Sequence, residues 1–65
     1  MLDRIGMTAG QIYAELEHNG PHTMTALKKK IDNNKDLVPM GIGWLARENK
    51  IAFLEEGRNL KITIK

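Results

Sequence analysis

The fold is decided by the stretch Ile51-Ala52-Phe53-Leu54-Glu55-Glu56-Gly57-Arg58-Asn59-Leu60-Lys61-Ile62-Thr63-Ile64. Ile51 and Phe53 alternate with Ala52 and Leu54, and Leu60, Ile62 and Ile64 alternate with Lys61 and Thr63. A strand sends successive side chains to opposite faces, so period-two alternation predicts two strands. Glu56-Gly57-Arg58-Asn59 supplies the turn between them, which makes a β-hairpin. A lone hairpin is barely stable in water. This one needs helices beneath it.

Those helices lie upstream, where the period changes. Val38, Ile42, Leu45 and Asn49 share one helical face with Ala46 beside them, which predicts a third helix from about residues 34–36 to Asn49. Pro39 fits only within its first turn, where a missing N–H costs nothing. Leu27 and Ile31 lie one turn apart in a short second helix over residues 26–31, with Thr25 as its expected N-cap. Asp32-Asn33-Asn34 breaks that helix, because short polar side chains compete for backbone hydrogen bonds. Ile5, Ala9, Ile12 and Leu16 form the stripe of the first helix. Asp3 can cap its start, Asn19-Gly20 stops it, and Pro21 prevents continuation. Residues 22–24 are too few for an independent strand and are expected to pair with the hairpin.

The order is helix, short strand, helix, turn, helix, hairpin. It predicts an α+β winged helix-turn-helix, with a C-terminal β-hairpin wing, as a single domain over residues 1–65. A three-helix bundle with a loose tail would leave Phe53, Leu60, Ile62 and Ile64 nowhere to bury. The expected core is Ile5, Ala9, Ile12, Leu16, Leu27, Ile31, Val38, Ile42, Leu45, Ile51, Phe53, Leu60 and Ile62, with Tyr13 at its margin.

Composition narrows the function. Sixty-five residues make a domain whose stability depends on good packing or on a partner. With no cysteine, disulfides and thiolate zinc sites are ruled out. His18 and His22 have no cysteine or carboxylate at ligand spacing, so no metal is expected. They read as surface histidines beside a turn. No apolar run approaches a membrane span, and the start Met1-Leu2-Asp3-Arg4 lacks the features of a signal peptide. A soluble, cytoplasmic protein is expected. So little chain does not readily build a catalytic cleft, and neither an enzyme nor a cofactor is expected.

Ile5-Gly6, Thr8-Ala9-Gly10 and above all Gly43-Trp44-Leu45-Ala46-Arg47-Glu48, followed by Lys50-Ile51, carry a resemblance. The chain resembles, over nearly its whole length, a family of short prokaryotic winged helix-turn-helix proteins of uncharacterised function. The pattern Leu-Ala-Arg-Glu-x-Lys-Ile is similar to the end of the recognition helix in many winged-helix regulators. Asn49 stands where glycine is common, and Pro39 and Gly41 depart from the pattern. The resemblance implies the fold and, by analogy, binding of double-stranded DNA in transcription regulation.

The side chains equip the chain modestly for that role. In a helix-turn-helix the second helix of the pair enters the major groove. Opposite its core stripe the third helix carries Met40, Gly43 and Arg47, flanked by Pro39 and Trp44, and only Arg47 is a good base-reading donor. Net charge is +2, divided as −2 over residues 1–20, +3 over 21–35 and +1 beyond. The candidate nucleic-acid residues are Lys28, Lys29, Lys30, Lys35, Arg47, Lys50, Arg58 and Lys61, acting chiefly on phosphates. Lys28-Lys29-Lys30 also reads as the solvated face of a short helix. Glu55 and Glu56 make the wing tip acidic and suit protection of a hairpin edge. The inventory predicts weak, salt-sensitive DNA binding with shallow base readout.

A second signal is apolar. Met40 and Trp44 stand four residues apart, away from the core stripe, and Leu54 points away from Ile51 and Phe53. Met7, Gly10, Gln11 and Ala14 form a face of the first helix with no formal charge, where Gly10 and Ala14 would let another helix approach closely. Apolar surface of this kind marks contact sites. The alternative for Trp44 is that its indole folds back on the hairpin and completes the core. Two functions follow. One is a DNA-binding homodimer resembling a transcription regulator. The other is a winged helix that uses the apolar faces of its first and third helices on itself or another protein and binds no DNA.

Overall fold

Residues 2–31 and 36–65 are described by the computed structural model. Helix α1 (Leu2–Asn19) ends at Gly20, whose φ of 83° lets its N–H reach the Leu16 carbonyl at 3.0 Å. Pro21 follows and the chain turns into strand β1 (His22–Thr23). Helix α2 (Met24–Lys30) is capped by Thr23, whose hydroxyl accepts from the Ala26 N–H at 3.1 Å. The cap is therefore Thr23 and not Thr25, because β1 hands the chain directly to α2 and leaves the last strand residue in the extended capping conformation.

Helix α3 (Leu37–Arg47) starts after Asp36 and places Pro39 in its first turn, as the missing N–H requires. Its end explains Asn49. This residue has φ 61°, its N–H bonds the Ala46 carbonyl at 3.0 Å, and the Lys50 N–H bonds the Leu45 carbonyl at 3.0 Å. That paired arrangement is a Schellman ending, for which glycine or asparagine is best suited. Asn49 thus ends α3 and does not extend its core stripe. Asp3 lies inside the first turn of α1, beside the helix's positive end.

Strands β2 (Ile51–Glu56) and β3 (Asn59–Ile64) pair antiparallel from Ile51↔Ile64 to Glu56↔Asn59, around the two-residue loop Gly57-Arg58. Gly57 has φ 63° and Arg58 does not share the left-handed conformation, the pattern of a type II′ turn. β1 joins the other side of β3 through His22↔Ile62 and Thr23↔Lys61, so the order is β1-β3-β2. Three helices against a three-stranded antiparallel sheet form the α+β winged helix the alternation predicts.

The core holds Ala9, Ile12, Leu16, Leu27, Ile31, Val38, Ile42, Leu45, Ile51 and Ile62, with Tyr13, Met24 and Ile64 packed against it. Leu37 and the Thr8 side chain are buried as well. Three expected members depart. Ile5 is half-buried, while Phe53 and Leu60 are 49% and 50% exposed. Both strand residues point to the core face, as their register with Ile62 and Glu55 requires. Ile62 lies on the central strand with β1 beside it, whereas Phe53 lies on the edge strand β2 and Leu60 lies beyond the β1 pairing. The Asp32-Asn33-Asn34 break and Lys35 lie outside the described residues.

Candidate nucleic-acid and partner interface

The outward surface of α3 follows from how closely its other side meets α1. A Cβ at Gly41 would stand 2.9 Å from Ile12 Cδ1, 3.2 Å from the Ala9 nitrogen and 3.4 Å from the Ala9 Cα. The missing side chain lets the helices touch there. One half-turn away, a Cβ at Gly43 would meet nothing within 4 Å. Pro39, Met40, Gly43, Trp44, Ala46 and Arg47 all face outward.

This face borders two connected depressions. Ile5, Met40, Gly43, Trp44, Arg47 and Glu48 line a groove of about 530 Å³. Gly6, Ala9, Gly10, Tyr13, Trp44, Leu45, Glu48 and Lys50 line the other. Trp44 is 37% exposed and stands between the two. Its neighbours there come from α1 and α3, and no residue of β2 or β3 lines either depression. The indole therefore sits over the α1–α3 seam and not on the hairpin.

The expected partner residues do not form one patch. Met40 lines one depression with Trp44 and Gly10 the other, whereas Met7 and Gln11 line a separate groove with Arg4, Thr8 and Leu37. Ala14 is exposed on α1, and Leu54 is exposed on the opposite face of the wing. Nothing lies within 4 Å of where a Gly10 Cβ would be. Close packing inside this chain does not account for that glycine.

The candidate phosphate contacts also divide. Lys30 lies 3.8 Å from Glu15, Lys50 4.0 Å from Glu48, and Lys61 3.3 Å from Glu56. A cation beside a carboxylate offers a phosphate less net attraction than a free one. Lys28, Lys29, Arg47 and Arg58 have no carboxylate at ion-pair distance among the described residues. Lys61 and Glu56 share one sheet face by register. Lys50 and Glu48 stand two residues apart, and only the Lys30–Glu15 pair needed the tertiary structure to be seen.

The histidines differ from the expected surface pair. His18 Nδ1 lies 2.8 Å from the Ala14 carbonyl on the exposed side of α1. His22 keeps only 9% of its side chain exposed, with Nδ1 2.6 Å from the Gly20 carbonyl and Nε2 3.0 Å from Glu15. Both ring nitrogens face oxygen acceptors, so only the imidazolium donates to both. Folding back at Gly20 brings Glu15 to His22, a pairing that spacing did not reveal. No group of three or more metal-ligating side chains is found among the described residues, and no described helix is long and apolar enough to cross a membrane.

A hydrogen bond from Asn19 at 2.7 Å, then the charges of Lys30 and His22, hold the Glu15 carboxyl below the usual glutamate range. A lowered folded value contributes stability that is present above the unfolded value and lost as pH falls through the folded one. Thermal melts between about pH 6 and about pH 3 should therefore separate wild type from Glu15→Gln at the upper end. The two curves should converge at the acid end. Parallel curves would remove this cluster from the acid response.

The model of the family described as "Winged helix-turn-helix domain (DUF2582)" matches residues 1–64. The chain is 41% identical over 68 aligned positions to uncharacterized protein MJ1608 of Methanocaldococcus jannaschii, covering all of this chain and 96% of that one. It is also similar in structure to protein BT2368 from Bacteroides thetaiotaomicron, solved by solution NMR. The TM-score is 0.83 at 24% identity, over 95% of this chain and 76% of that one. The last likeness speaks to the fold alone.

Proposed function

Because the chain belongs to the winged helix-turn-helix domain family DUF2582, we propose that it is a non-catalytic, transcription-regulator-like module that works as a homodimer on double-stranded DNA. Lys28, Lys29 and Arg58, which have no carboxylate at ion-pair distance among the described residues, support this reading. The outer face of α3 presents Met40, Gly43 and Trp44 with Arg47 as its one base-reading donor. A helix so equipped grips phosphates and discriminates bases poorly. Lys28, Lys29 and Arg58 supply the phosphate contacts. The apolar seam between α1 and α3 supplies self-association, which a 65-residue domain needs more than a large one does.

A salt titration of DNA binding, run beside light scattering across a dilution series, tests both halves. The expected result is a dimer whose affinity for DNA falls steeply with salt. Replacing Lys28, Lys29 and Lys30 together with alanine should flatten the slope of log K against log salt by about 2 to 3, near one phosphate contact per lysine. An unchanged slope removes α2 from the contact surface. A wild-type mass of one chain at high micromolar concentration ends the homodimer. The exposed Met40 and Trp44 then favour the second reading, a winged helix that docks on another protein.

A further inference from the structure

We propose that the groove between α1 and α3 receives the wing of a second copy of this chain, so that two protomers dock reciprocally. This rests on the homodimer reading and names the segment that fills its seam. The core-facing side of the wing carries Phe53 and Leu60, both half-exposed. Glu55 lies directly opposite Leu60 on that same side. Its carboxylate has no cation at ion-pair distance among the described residues, whereas its neighbour Glu56 is held by Lys61. The wing underside is therefore two large apolar side chains and one free negative charge.

The groove is its complement. Met40 is 46% exposed and Trp44 37%, with Ile5 and Gly43 completing the apolar wall. Arg47 stands on its rim with no carboxylate at ion-pair distance, while the adjacent Glu48 lies 4.0 Å from Lys50. A free cation beside an apolar wall matches a free carboxylate beside apolar side chains. Both halves stay partly exposed in the single chain. A two-fold axis that places one wing in the partner's groove does the same in reverse, burying both pairs in one closed contact. In that dimer Arg47 is occupied by Glu55 of the partner, so base readout by α3 is given up and DNA is left to the phosphate contacts.

A charge swap tests the docking. Arg47→Glu and Glu55→Arg each place like charges together at both contacts of the dimer. Each should raise the dimer dissociation constant by about a hundredfold, roughly tenfold per contact. The double variant restores opposite charges and should return to within about threefold of wild type. Both positions are exposed, and circular dichroism of each variant checks that the fold is kept. Isotope-filtered NMR on a mixed dimer should also show contacts from Leu60 methyls to the Trp44 indole of the other chain. A wild type that stays monomeric overturns this docking together with the homodimer. A dimer that is insensitive to both single changes, or not restored by the double, overturns the docking alone.

Discussion

Gly41→Ala should lower the unfolding free energy by about 1–2 kcal/mol, even though alanine is the better helix former by about 1 kcal/mol. The new methyl meets Ile12 Cδ1 at 2.9 Å, a side-chain tip that can turn away. It also meets the Ala9 nitrogen at 3.2 Å and Cα at 3.4 Å, which belong to the backbone of α1. That backbone yields only if the helices move apart along their whole contact. Gly43→Ala is the control. It lies in the same helix with open space where the Cβ would stand, so the propensity gain of about 1 kcal/mol should appear undiminished. Urea denaturation midpoints of the two variants should move in opposite directions. If both rise, the contact at Gly41 is looser than its distances indicate.

Ile62→Ala and Phe53→Ala should differ more. The two residues sit directly opposite each other on one sheet face, yet Ile62 is 1% exposed and Phe53 49%. Removing a fully buried isoleucine leaves a cavity and costs about 2–5 kcal/mol, comparable to the whole stability of a domain this small. Removing Phe53 takes away half-solvated area and one cross-strand pair, about 1 kcal/mol in dilute, monomeric protein. Ile62→Ala should therefore populate unfolded chains at room temperature while Phe53→Ala stays folded. Near-equal losses would show that the wing tip is buried in the monomer after all.

The contrast between those neighbours marks the boundary between sequence and tertiary structure. Alternation from Ile51 to Ile64 determined the hairpin and which side chains of each strand share a face, because period two is a local property of extended backbone. Helical spacing determined the stripes of α1 and α3, Gly20-Pro21 the end of α1, and Pro39 the place of the first turn of α3. Charge and composition determined that base-reading donors are scarce. Other features depended on contacts between residues distant in sequence. Phe53 stands on the edge strand and Leu60 beyond the reach of β1, which leaves both half-exposed. Glu15 meets His22 only because the chain folds back at Gly20. Lys30 is drawn to Glu15, and Gly41 marks the close approach of α1 and α3. Trp44 takes its place over the seam for the same reason: periodicity assigns a face, but only the packed neighbours decide whether anything covers it.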